Sequence, residues 1–204
     1  MILLVTLLAC RPDPGSPNYP DPGPWTRTGD DFYVDALDPG EERLGIGLFY
    51  EGATTESWPI DDTDSHFYIY SNTFSVTKTD DRWEGYEADT VVKGSAAWWG
   101  GGIHWDTPRD LSDWDTLHLT VATDALTAWD LGLTGGGVEA RVPVTDLGLV
   151  ADDNWHELEV PLSRFADAGA DLTSVTVGAL FVGDGGGTGD EATLDGLYFS
   201  RVRP

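Results

Sequence analysis

From residue 44 onward the sequence alternates apolar and polar side chains, and no window of a dozen residues carries a helical stripe. Leu117-His118-Leu119-Thr120-Val121 and Trp129-Asp130-Leu131-Gly132-Leu133 show the period of two expected of half-buried strands. Leu44 to Tyr50, Phe67 to Tyr70, Glu139 to Val144, Leu158 to Val160, Val175 to Val182 and Leu194 to Phe199 read as strands too. Gly, Pro, Asp and Asn punctuate them, as turns require. Short strands at regular spacing predict a sandwich, jelly roll or barrel. Gly183 to Glu191, GDGGGTGDE, reads as a hairpin loop, since it has neither the Lys nor the following helix of a phosphate loop.

The N-terminus is of a different kind. Met1 to Ala9, MILLVTLLA, is uncharged and apolar, and it stops on a small residue before Cys10, the single cysteine of the chain. A secretory signal has such an apolar run and such a cleavage site. The run is far shorter than the ~20 residues that span a bilayer as a helix. No Lys or Arg precedes Arg11, so the charged n-region of a signal is missing from the sequence as it stands. Leu7-Leu8-Ala9-Cys10 resembles the bacterial lipobox, which implies cleavage before Cys10 and lipid on its sulfur. A lone cysteine in an exported protein has no internal disulfide partner, in keeping with that role.

Residues 10–31 predict a tether, with six of the chain's twelve prolines interleaved with Gly, Ser and Asp. Proline-rich chain extends at about 3.1 Å per residue and buries little surface. Residues 32–204 are then long enough for one domain with a single core. The net charge of −25 argues against nucleic acid, because phosphate backbones need neutralising Lys and Arg. It also argues for a soluble, monomeric domain rich in oxygen ligands for hard cations.

Four segments carry a family resemblance. Trp105-Asp106-Thr107-Pro108-Arg109-Asp110-Leu111-Ser112-Asp113-Trp114-Asp115-Thr116-Leu117 resembles the "W…DLS…YDTL" stretch of galactose-binding-like jelly rolls, which include carbohydrate-binding modules such as those of family 11. Trp155-His156-Glu157-Leu158-Glu159-Val160-Pro161-Leu162-Ser163-Arg164-Phe165 is similar to their "W…V.IPLS.F". Leu194 to Phe199 resembles their closing strand, and Phe49-Tyr50-Glu51-Gly52 their opening "DFEG" strand. The resemblance implies an all-β jelly-roll β-sandwich. It also implies a structural Ca²⁺ joining the first and last strands, with Glu51 and Asp195 in the ligand positions. Locally, Asp110 or Ser112 caps a turn, Pro161 ends a strand or places it at a sheet edge, and Ser163 with Phe165 starts a loop.

Chemistry points to binding. Ala97-Trp98-Trp99-Gly100-Gly101-Gly102-Ile103-His104-Trp105 gathers three tryptophans around a glycine run. Adjacent strand residues face opposite ways, so one of Trp98 and Trp99 fills the core and the other faces outward. The outward ring either stacks on a sugar or packs against a loop or the tether. Trp105 and Tyr70 are expected beside it, Trp58, Tyr68 and Trp129 are further candidates, and Trp155 is expected in the core. Enzymatic signatures are sparse. His66, His104, His118 and His156 lack HxH or HExxH spacing, no GxSxG elbow occurs, and Glu84 to Asp89 does not match the E-x-D-x-x-E strand of jelly-roll glycoside hydrolases. The sequence thus predicts a lipid-anchored bacterial cell-envelope protein, at the outer membrane or cell surface, that binds a neutral polysaccharide or another envelope component. A structural or protein-interaction scaffold is the alternative, with a jelly-roll hydrolase behind it.

In a Gram-negative host, Cys10→Ser is expected to move the protein from the membrane pellet to the soluble or uncleaved fraction. Equal fractionation of the two proteins contradicts lipidation.

Overall fold

The computed structural model describes residues 26–27, 33–35, 41–46, 58–59, 65–81, 83 and 88–202. The described strands are β1 (Thr26–Arg27), β2 (Tyr33–Asp35), β3 (Glu41–Gly45), β4 (Trp58–Pro59), β5 (Ser65–Ile69), β6 (Phe74–Thr79) and β7 (Ala88–Lys93). They continue with β8 (Trp99–Arg109), β9 (Thr116–Ala122), β10 (Trp129–Gly135), β11 (Val138–Pro143), β12 (Trp155–Pro161), β13 (Val175–Gly183) and β14 (Glu191–Val202). Cys10, the signal segment and Glu51 lie outside the described residues, and β1 falls inside the stretch read as tether.

Two antiparallel sheets form. One runs β11-β10-β13-β8-β5-β4. The other runs β1-β2-β3-β14-β7-β6, with β9 paired to β14 and β12 paired to β9. The long β14 serves two neighbourhoods: residues 191–194 pair with β7 and residues 198–202 with β3, and the register against β9 shifts between Asp195 and Tyr198. Gly196 has φ +56° inside that irregularity, a left-handed conformation that glycine adopts at little cost.

The alternation read from the sequence builds the core. Phe67 and Ile69 of β5, Trp99 and Ile103 of β8, Leu131 and Leu133 of β10, and Phe181 of β13 are all buried. Against them pack Leu117, Leu119 and Val121 of β9, Leu158 and Val160 of β12, and Leu194 and Phe199 of β14. The Trp99 ring sits centrally, edge-on to Phe74 with centroids 5.7 Å apart and tilted against Trp129 at 5.7 Å.

Several expectations are refined. β6 and β7 carry polar residues on both faces and were not predicted as strands, whereas β8 bears out the strand reading of the Trp98-Trp99 segment despite its three glycines. The segment 184–190 is no hairpin, since it joins β13 in one sheet to β14 in the other. Its backbone is tied across the sandwich edge, with Gly189 N donating to Lys93 O at 2.9 Å and Lys93 N to Asp190 O at 2.9 Å. Pro161 does end β12, which is paired on one side only, to β9. Ser163 and Phe165 belong to a one-and-a-half-turn helix, α1 (Leu162–Asp167), rather than a loop, because Leu162 and Phe165 are three residues apart and both bury. Asp110 makes the expected turn, its Oδ1 accepting from Ser112 N at 2.9 Å. Trp155 is half-buried rather than core, beside Trp83 with ring centroids 6.5 Å apart.

Trp99→Ala removes the central ring and is expected to cost about 3–5 kcal/mol, the usual range for deleting a buried aromatic. Trp98→Ala is expected to cost less than about 1 kcal/mol. Urea unfolding of both variants checks this, and equal losses contradict the assignment of the two rings to opposite faces.

Candidate functional site

Strand parity decides what faces solvent on the β11-β10-β13-β8-β5-β4 sheet. Along β8, Trp99, Gly101, Ile103 and Trp105 point to the core, so Trp98, Gly100, Gly102 and His104 belong to the outer face. The β5 register aligns Tyr68 with Gly102 and His66 with His104, adding both to that face. On the other side, Val182 lies opposite Gly100 and Leu180 opposite Gly102 on β13, while β10 contributes Asp130 and Gly132 and β11 contributes Arg141.

Tyr70 lies flat on this face. A Cβ added at Gly100 would sit 3.2 Å from Tyr70 Cδ2 and 3.2 Å from Trp98 Cζ3; one added at Gly102 would sit 3.0 Å from the Tyr70 hydroxyl. The glycine run therefore makes room for a ring that lies along the strand. The hydroxyl and His104 Nε2 share a hydrogen bond of 2.6 Å, and Tyr68 packs edge-on to the same imidazole at 4.7 Å. Leu180 is buried without joining the contiguous core, so the side chains of this outer face cover it. Burial, then the Glu139 carboxylate, pushes the Tyr70 hydroxyl up to about 12, and burial followed by neighbouring His66 lowers the His104 imidazole. Both groups are thus uncharged at neutral pH and available for hydrogen bonds.

Beyond Tyr70 the face opens into a pocket of about 500 Å³ lined by Trp98, Asp130, Arg141, Val182 and Asp184 among others. The Trp98 indole is 40% exposed, the only tryptophan among the large hydrophobic residues exposed to this degree in the described residues. Arg141 is ion-paired with Glu139 on its own strand. The lining thus combines a flat apolar ring with carboxylates and a guanidinium. That combination suits a ligand with an apolar face and hydroxyl edges.

Of the residues singled out from the sequence, Trp98 and Tyr70 come together here. Trp99 takes the core position. Trp105 does not join the platform: it is 3% exposed, and a Cβ at Gly178 would sit 2.4 Å from its ring, so the missing side chain there is what admits the indole. Trp129 is also buried, its Nε1 donating to Leu126 O at 3.0 Å, and it reaches only the edge of the pocket. The Trp58 side chain lies outside the described residues. His104, Asp130 and Arg141 were not anticipated, although counting by twos from Trp98 finds His104. Asp195, one of the two residues assigned to Ca²⁺, is buried at the β14 irregularity. Its Oδ2 accepts from Trp83 N at 2.8 Å and its Oδ1 from Gly196 N at 2.7 Å. Glu51, the other residue of that assignment, lies outside the described residues.

No protein-family model and no curated protein matches the sequence. Solved structures do. The family 11 carbohydrate-binding module of a cellulosomal cellulase of Clostridium thermocellum aligns with TM-score 0.51 at 13% identity, over 72% of this chain and 95% of the module. A family 30 carbohydrate-binding module aligns with TM-score 0.54 at 13% identity, over 79% of this chain and 99% of the module. An exo-beta-agarase aligns with TM-score 0.51 at 9% identity, over 72% of this chain but 24% of its own length. At such identities the likeness concerns the backbone: this chain has the jelly-roll β-sandwich fold of family 11 and family 30 carbohydrate-binding modules.

Proposed function

We propose that this domain is a non-catalytic carbohydrate-binding module, held in the bacterial cell envelope by lipid on Cys10 and by the proline-rich arm of residues 10–31. The observation that carries the reading is the Trp98 ring, 40% exposed, beside Tyr70 and lining a pocket of mixed polar and apolar character. An indole exposed beside a pocket offers a flat apolar surface on which a ligand can stack. Sugar rings present C–H faces that stack on such an indole, while Asp130, Asp184 and Arg141, which line the same pocket, are groups with which hydroxyls can pair. The shared fold of modules named for carbohydrate binding supports the same reading. With a net charge of −25, uronic-acid polymers are repelled, so the ligand is a neutral polysaccharide. Affinity falls in the micromolar to millimolar range, because each stacked ring adds only ~0.5–1.5 kcal/mol beyond burial and hydroxyls leaving water return little.

Affinity electrophoresis through gels carrying neutral glucans and galactans tests this. At least one polymer is expected to retard the protein, and Trp98→Ala to weaken that retardation about tenfold, or ~1.4 kcal/mol. Retardation is expected to be constant from about pH 7 to about pH 9, since neither Tyr70 nor His104 changes charge there. If no polymer retards the protein, or Trp98→Ala is retarded like the parent, the domain is an interaction scaffold instead.

A further inference from the structure

The opposite sheet carries a second constellation, on the far side of the sandwich from Trp98. In β9, Leu117, Leu119 and Val121 enter the core, so His118 and Thr120 face outward. In β12, Leu158 and Val160 enter the core, so Glu157 and Glu159 share the outer face two residues apart. The ladder sets His118 opposite Glu159 and Thr120 opposite Glu157. His118 Nδ1 therefore lies 3.7 Å from Glu157 Oε1 and 3.8 Å from Glu159 Oε1, and the three donor atoms fall within 4.8 Å of one another.

The histidine is fixed and the glutamates are exposed. Nε2 of His118 and Ser200 Oγ share a hydrogen bond of 2.8 Å. The Tyr198 ring stacks on the imidazole at 4.4 Å with planes 9° apart, and the Arg43 guanidinium covers the other face of Tyr198 at 4.1 Å. The Tyr198 hydroxyl donates to Glu157 Oε1 at 3.3 Å. His118 is 6% exposed, and its Nδ1 is buried without a hydrogen-bond partner, its distances to both carboxylates being too long for one. The Glu157 and Glu159 side chains are 41% and 63% exposed, so packing does not enclose them as it does His118 and they can close on a shared ligand.

We propose that His118 Nδ1, Glu157 and Glu159 bind one divalent transition cation of the zinc class, with the remaining coordination positions open to water. An imidazole with two carboxylates is a donor set for Zn²⁺, which takes nitrogen at about 2.0–2.1 Å and carboxylate oxygen at about 2.0–2.2 Å. Ca²⁺ suits it poorly, since that ion takes 6–8 oxygens. When Nε2–H donates to Ser200 Oγ, the Nδ1 lone pair points at the site, the outer-sphere contact that orients a metal-bound histidine. Bound there, the cation ties the edge strand β12 to β9. The site is independent of glycan binding on the other sheet.

The full chain, stripped with EDTA and dialysed, is titrated with ZnCl₂ by calorimetry and with CoCl₂ by visible absorption. One Zn²⁺ per chain is expected, with a cobalt band in the visible and a higher Tm. The exposed substitution Glu159→Gln is expected to weaken Zn²⁺ by about tenfold or more, the double variant Glu157→Gln/Glu159→Gln by about a hundredfold, both with the metal-free Tm of the parent. His118 ring signals in an NMR titration should shift with the first equivalent of Zn²⁺ in the parent. Equal Zn²⁺ binding by parent and double variant, which is capture by the acidic surface at large, overturns the proposal. So does a His118 ring that does not respond to the metal.

Discussion

The burial of the Trp99 indole between Phe74 and Trp129 sets the parity of β8, and β8 lies inside the six-stranded sheet, between β13 and β5. A strand has two faces and a slip of one residue exchanges them. With Trp99 inward, Trp98, Gly100, Gly102 and His104 are committed outward, and the ladders to β5 and β13 carry that commitment to Tyr68, His66, Val182 and Leu180. The face around Trp98 and the core are thus two consequences of one register. A Cβ at Gly100 or Gly102 would press on Tyr70, so the smallest residues of the strand shape the platform as much as the largest.

The second sheet follows the same rule with different residues. Its β9 and β12 partners bury leucine and valine inward, and what they present outward is a histidine fixed by Ser200 and Tyr198 beside two exposed glutamates. An apolar interior shared by both sheets therefore supports two outer faces of contrasting chemistry, one built on aromatic rings and one on ionisable donors.

Much of this was legible in the sequence. Strands with clean alternation, such as Leu117 to Val121 and Trp129 to Leu133, were identified because each has one apolar face. The split of Trp98 from Trp99 followed from the same period. Less legible were β6 and β7, whose polar residues mask the alternation, and the inward turn of Trp105, which depends on the gap at Gly178, a residue from another strand. Charged pocket residues were missed for a related reason. Asp130 and Arg141 look like ordinary outward positions of β10 and β11 until the strand order places them across from Trp98. Period identifies a face, whereas only topology identifies its neighbours.

In the proposed function, the outer face around Trp98 and Tyr70 receives a neutral sugar chain. Indole N–H signals of the nine tryptophans give a direct reading when a soluble neutral oligosaccharide from a retarding polymer is titrated into the protein. The Trp98 signal is expected to move progressively and saturate, with the Trp99 and Trp105 signals nearly unmoved. A saturating shift at tryptophans away from this face, with Trp98 unchanged, would contradict the account.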